Sequence, residues 1–244
     1  MKRRSFIKKG GMATMALTTV PAMAAAQETE YSITELMGKS EPELYGEGIN
    51  LQKGAHDAFV SMKKAAYQDG IDLKIVSSYR SYLRQVGIFE RKFIRYTEED
   101  GMEPLPAIDK IIEYSTIPGT SRHHWGTDID IIDGYRKTEG DVLDADKFAD
   151  GGAFADLKDW MDQNAATYDF HLVYTDSPKR KGFKYEPWHY SYAPISKPML
   201  TAFRRKNIVQ ILQQEDFIGA EHFTIGFLKN YIQDNILDIN EVLL

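Results

Sequence analysis

The chain has 244 residues, 43% of them hydrophobic and 27% charged, a size that buries one sizeable core. Its formal net charge is −6 and no Lys/Arg-dominated block lies beyond the first nine residues, so neither a nucleic-acid surface nor a polybasic membrane patch is expected. Without any cysteine, disulfides, thiolate ligands and a cysteine nucleophile are excluded together, and a metal would have to rest on His, Asp or Glu.

Residues 1–26 carry a basic head, a weakly apolar middle and small residues at the end. Arg3 and Arg4, followed by Ser5, Phe6, Ile7 and Lys8, give this segment the pattern of a twin-arginine export signal, read by the export machinery as an address. Its apolar part, 10–20, falls short of the roughly 20 residues a membrane-spanning helix needs, and no other stretch approaches that length. An exported, periplasmic protein without a stable membrane span is expected, cleaved after Ala24 or Ala26. Loss of residues 1–26 removes five basic side chains and no acidic one, leaving 25 against 36, a net of −11.

In 51–68 the apolar residues Ala55, Phe59, Met62 and Ala66 recur at helical spacing before Gly70, which predicts a helix. Residues 73–79 are short and β-branched and read as a strand; 82–96 read as a second helix. Pro104, Pro106, Pro118 and Gly119 punctuate the following stretch. A strand is expected at 128–132, an exposed polar excursion at 134–152, a helix at 153–164, and strands at 170–174 and 187–192. Beyond residue 196 the spacing of Met199, Phe203, Ile208 and Leu212, then Phe223, Phe227 and Ile232, predicts a helical extension. This irregular mixture points to an α+β fold with a small antiparallel sheet, flanking helices and a C-terminal helical appendix. The expected divisions are 1–26, 27–195 and 196–244, the last packed on the domain.

Among six histidines, His123 and His189 stand where turns enter strands. Pleat alternation puts His189 with Ser191 on one face and Trp188, Tyr190 and Tyr192 on the other. Asp128 and Asp130 share a face of an otherwise isoleucine strand, so at least one acid points where a core belongs and needs a cation or donors. Two imidazoles and a carboxylate suit a catalytic zinc with one open position. His56, His171 and His222 lack companions at ligand spacing, and the run 178–182 reads as a basic solvated loop or an anion-steering one. The three tryptophans read as core anchors, with Trp188 a possible wall of the site.

Three motifs in order, Ser77-Ser78-Tyr79-Arg80-Ser81 with Gln85, then Ser121-x-His123 with Gly126 and Asp130, then Glu186-Pro187-Trp188-His189, carry a family resemblance. Over about 51–192 the chain resembles the zinc D-alanyl-D-alanine carboxypeptidases of the VanY type, within the group that includes lysostaphin and the hedgehog signalling domain. The resemblance implies one zinc per chain on His123, Asp130 and His189, with His124 the alternative to His123. It implies Glu186 as general base, Arg80 as the group that polarises the scissile carbonyl or holds a substrate carboxylate, and Gln85 and Ser121 as further substrate contacts. The implied reaction is removal of a C-terminal D-alanine from peptidoglycan stem peptides; a cell-wall endopeptidase and a non-catalytic zinc-containing binding module are the alternatives. The chain departs from the pattern at Asp128, in place of a usual Ala, which either orients a ligand imidazole or pairs with Arg122 or Arg80. It departs again at Asp169, in place of a usual Gly, which suggests a changed turn.

Overall fold

A computed structural model describes residues 30–244; the expected export signal and its cleavage sites lie outside them. Four strands form one antiparallel sheet in the order β1-β2-β4-β3, with β1 Leu73–Ser77, β2 Asp128–Asp133, β3 Phe170–Leu172 and β4 His189–Tyr192. The expected α+β class with a small antiparallel sheet is therefore what the chain adopts. Register sets the chemistry of the central pair, because Asp128 faces Ser191, Ile129 faces Tyr190 and Asp130 faces His189. A shift between Ile75 and Ser77 brings Ser77 opposite Asp130 and ends β1 two residues before the predicted limit.

Eight helices surround the sheet among the described residues: α1 Ile33–Leu36, α2 Lys53–Gln68, α3 Tyr82–Ile94, α4 Pro104–Ile111, α5 Ala155–Asn164, α6 Ala193–Arg204, α7 Ile208–Leu212 and α8 Ile225–Tyr231. Helix α2 buries the predicted stripe Ala55, Phe59, Met62 and Ala66. Helix α3 starts at Ser81, whose hydroxyl accepts from the Arg84 amide, and continues through a π turn, Arg95–Glu99. Helix α4 was not expected. Its two prolines stand in the first turn, where a missing N–H costs nothing, so they start a helix here instead of breaking one. Helix α6 runs across the boundary drawn at 195/196.

Two apolar clusters result. One packs α2 and α5 on the sheet through Phe59, Leu73, Ile129, Ile131, Phe154 and Phe170. The other joins α1, α3, α4 and α6–α8, so the C-terminal helices share a core with the middle of the chain. Asp169 takes φ 60, a left-handed conformation that Asp tolerates better than most side chains, so the exchange at this position keeps a glycine-like turn and does not abolish it. No helix among the described residues is long and apolar enough to cross a membrane.

Candidate metal centre

The site is built around a buried 3₁₀ turn, Arg122–Trp125, each of whose side chains is engaged. Arg122 Nε donates to Asp128 Oδ2 at 2.9 Å, and Arg122 Nη2 donates to Ser191 Oγ at 2.6 Å. The His123 Nδ1–H donates to Ser78 O at 2.8 Å. His124 donates from Nδ1 to Arg80 O at 2.6 Å and accepts the Gly119 amide at Nε2 at 3.2 Å. The Trp125 indole N–H reaches Leu36 O at 3.0 Å. Gly126 closes the turn at φ 63, where a Cβ would also press to 3.0 Å from Leu44.

These bonds settle which atoms are free. With Nδ1 spent on Ser78, His123 turns Nε2 toward Asp130 Oδ2, 3.3 Å away. In His189, Nε2 lies 3.0 Å from Asp128 Oδ2 and donates to it, so Nδ1 faces Asp130 Oδ1 at 3.7 Å and Glu186 Oε2 at 2.9 Å. The ligand atoms of His123, Asp130 and His189 all lie within 4.8 Å of one another, and the three residues are buried. Asp130 Oδ1 is buried without a hydrogen-bond partner. A buried carboxylate with one oxygen orphaned, facing His123 Nε2 through Oδ2 and His189 Nδ1 through Oδ1, is an arrangement that a cation completes, and two nitrogens with one oxygen match zinc. His124, with both nitrogens held by backbone, offers no lone pair to a metal.

Electrostatics agree. Burial alone would lower the His189 pKa, yet Asp130, Asp128 and Glu186 together push it up to about 10, so positive charge is favoured at this point. Burial pushes Glu186 above the usual carboxylate range, with His189 pulling the other way. Burial lowers His123 and drives His124 down to about 3, which keeps both imidazoles neutral. Asp128 is held below the ordinary range despite its burial, by Arg122 and His189. It accepts from Thr127 and Ser191 at Oδ1, 2.7 Å each, and from Arg122 and His189 at Oδ2. Two of the roles considered for it thus coincide: Asp128 orients an imidazole and pairs with Arg122, while Arg80 is not among its partners.

Arg80 lines the same cavity of about 680 Å³ as the trio and Glu186. Its guanidinium donates to Gln85 Oε1 at 2.9 Å and Ser77 Oγ at 3.0 Å and has no carboxylate at ion-pair distance among the described residues. Gln85, expected as a substrate contact, sits one layer back. It is fully buried and is not among the residues lining the cavity; its amide nitrogen donates to Thr116 O at 2.8 Å and its Oε1 holds Arg80, so the structure places it behind Arg80. Ser121 does line the cavity, and its hydroxyl is unpaired. The 134–152 segment is the largely exposed excursion that was expected, and it also supplies a wall: Asp141, Leu143, Asp144 and Asp146 line the cavity, and Phe148 packs on Trp188 at 5.7 Å between ring centroids. Apolar Val142, Leu143 and Phe148 within that polar run were the signal for it. Tyr174, whose ring stands edge-on to His189, is a further lining residue that the motifs did not mark. The basic loop steers nothing through Arg180, which is committed to the carbonyls of Thr175, Phe183 and Asp238.

A buried His/Asp/His centre with a glutamate and an arginine beside it defines a metallopeptidase-type site. Residues 48–195 match the family model described as VanY, D-alanyl-D-alanine carboxypeptidase, and the chain belongs to that family of hydrolytic enzymes. It is 32% identical over 107 residues to an uncharacterized Haemophilus influenzae protein, covering 43% of this chain and 82% of that one. It is 31% identical over 177 residues to the candidate carboxypeptidase YodJ of Bacillus subtilis, covering 71% of this chain and 53% of that longer protein. Among solved structures it resembles VanYB in complex with D-alanine-D-alanine, with a TM-score of 0.51 and 22% identity over 72% of this chain and 90% of that one. It also resembles a vancomycin-resistance D,D-pentapeptidase VanY in complex with Zn(II), with a TM-score of 0.50 and 24% identity over 67% and 84%. At these identities the two structures establish the fold.

Proposed function

We propose that this protein is an exported zinc carboxypeptidase that removes a C-terminal D-alanine from peptidoglycan stem peptides, reaching the periplasm through the twin-arginine machinery. The observation that carries the reading is the convergence of His123, Asp130, His189, Glu186 and Arg80 on one cavity. His123 through Nε2, Asp130 through its carboxylate and His189 through Nδ1 would hold one zinc. When bound, zinc supplies Lewis acidity there, polarising a carbonyl oxygen and acidifying water. Glu186, its carboxyl pKa raised by burial, takes the proton of the attacking water and passes it to the leaving amine. Arg80, fixed at two points, sets a permanent positive charge against the oxyanion that develops. Ser121 offers an uncommitted hydroxyl to the peptide.

The test pairs zinc content with D-alanine release from a stem pentapeptide for wild type and Glu186→Gln. Wild type should bind one zinc and release D-alanine. The variant should keep its zinc and its melting temperature while turnover falls about 10²- to 10⁴-fold. Full zinc binding with no release from any stem peptide would replace the enzyme with a binding module, and loss of zinc from Glu186→Gln would make Glu186 a ligand and not a base.

A further inference from the structure

The cavity holds a cation that this chemistry leaves unused. On α3, Gln85, Ile88 and Lys92 stand at spacings of three and four residues, one row of the helix, and Ile88 and Lys92 both line the cavity. Lys92 is half-buried, and no carboxylate stands within ion-pair distance of it among the described residues. Its Nζ donates to Ser115 Oγ at 2.6 Å, and Ser115 is itself buried and lines the cavity. A hydroxyl that accepts from an ammonium keeps its own proton to give, so Lys92 and Ser115 present two donors side by side.

Arg80 and Lys92 are differently employed. Arg80 is tied to Ser77 and Gln85 and feels Asp130, one of the metal trio, whereas Lys92 does not; Glu186 acts on both. Lys92 is tied to Ser115, in the segment after α4, a different part of the cavity lining from the Ser77 and Gln85 that hold Arg80. Burial, with the like charges of Arg80 and Arg95, holds Lys92 below the ordinary lysine range even though Glu186 and Asp141 pull the other way, a field that an arriving anion would relieve. A half-desolvated ammonium that no carboxylate touches is costly in a purely structural role, and elsewhere in this chain exposed lysines such as Lys53 and Lys184 have carboxylate partners. A carboxypeptidase substrate carries its free carboxylate one residue past the scissile carbonyl, within about 3.6 Å of chain, so that anion enters the same cavity.

We propose that Lys92, with the Ser115 hydroxyl, is the specificity-determining contact for the substrate's terminal carboxylate, leaving Arg80 to the carbonyl at the reacting centre. This rests on the carboxypeptidase reading above. The contact makes the protein choose a chain end over an internal peptide bond, because an internal bond brings no anion to Lys92.

The experiment measures kcat and KM separately for a stem pentapeptide ending in D-alanyl-D-alanine and for its C-terminal amide, with wild type, Lys92→Met and Lys92→Arg, each checked for zinc content and melting temperature. Wild type should prefer the acid. In Lys92→Met, KM for the acid should rise about 10- to 100-fold, the span of a lost charge-assisted contact, while the amide is unaffected and Lys92→Arg keeps part of the preference. An equal loss on acid and amide, or no change on either, overturns the proposal. Calorimetry of the same two peptides on Glu186→Gln and on Glu186→Gln/Lys92→Met reads the contact without turnover. Acid-over-amide binding that depends on Lys92, in a protein whose wild type releases no D-alanine, would sink the carboxypeptidase reading and keep the contact; release of D-alanine without that dependence would do the reverse.

Discussion

The two faces of the central strand pair are equally dry and chemically opposite. On one face Ile129, Ile131 and Tyr190 join the core under α2 and α5; on the other Asp128, Asp130, His189 and Ser191 meet one another. The apolar face is stabilised by area alone, at roughly 25 cal/mol per Å². The polar face gains little from burial and stands because nearly every donor finds an acceptor, with Asp128 taking four bonds. The exceptions are informative. Asp130 Oδ1, Ser121 Oγ and Arg122 Nη1 are buried and unpaired, and all three residues line the cavity. A polar face satisfied everywhere except at its opening is one waiting for a ligand.

The sharpest way to break that comparison is Asp128→Ala. It leaves the Arg122 guanidinium and His189 Nε2 buried without their acceptor, and should cost about 3–5 kcal/mol in denaturant unfolding and about 10- to 100-fold in zinc affinity by competition titration. Adding Arg122→Met removes the stranded charge and should recover a large part of the stability but not the zinc affinity, since His189 still lacks its orienting carboxylate. A single variant within 1 kcal/mol of wild type would mean that the network is not what holds this face. On the opposite face Ile129→Ala should cost about 2–4 kcal/mol by lost burial and a cavity, with zinc stoichiometry unchanged. Loss of zinc in that variant would show that the two faces are not separable.

The smallest effect concerns His124, neutral and held down to about 3 where the unfolded chain titrates near 6.5. Below about pH 6.5 the unfolded state takes up a proton that the folded state refuses, so stability falls as pH drops toward 3, by up to about 1.4 kcal/mol per unit from this group. His124→Gln can keep both backbone bonds without titrating. Unfolding free energies at pH 6, 5 and 4 should therefore fall less steeply for the variant, and parallel slopes would show that His124 is charged in the fold.

The site was legible because its chemistry needs fixed residue types at fixed spacing: Arg80, His123, Asp130, Glu186 and His189 fall in three short motifs, and alternation already put His189 and Ser191 on one face. What spacing does not carry is direction. Gln85 belongs to the same motif as Arg80, yet its side chain turns inward and serves Arg80, and only the cavity wall separates those two roles. Asp128 looked like one of several pairings, and the packed turn gives it two of them. Helix α4 was hidden by reading Pro104 and Pro106 as breakers without asking which turn they occupy. The wall formed by 141–146 was hidden because an exposed polar segment, as 134–152 largely is, gives no sign in its composition of which side faces a cavity. Helix α6 passes 195/196 without a break, since the boundary was drawn just past the end of the resemblance, near 192, and the core continues beyond both.

The hydroxyl of Tyr231, on α8, accepts the Ile117 amide at 3.0 Å and meets Thr120 Oγ1 at 2.8 Å, so the loop leading into Ser121 and His123 is pinned by a residue 114 and 111 positions later in the chain. At roughly 5–20 residues per second of synthesis, that interval is on the order of ten seconds on the ribosome. Throughout it the 117–120 loop lacks its anchor while the first two motifs are already translated. The protein is thereby expected to reach its working shape after translation has passed Tyr231 and not before, a built-in delay for a hydrolase that is made in one compartment and, on the proposal above, used in another.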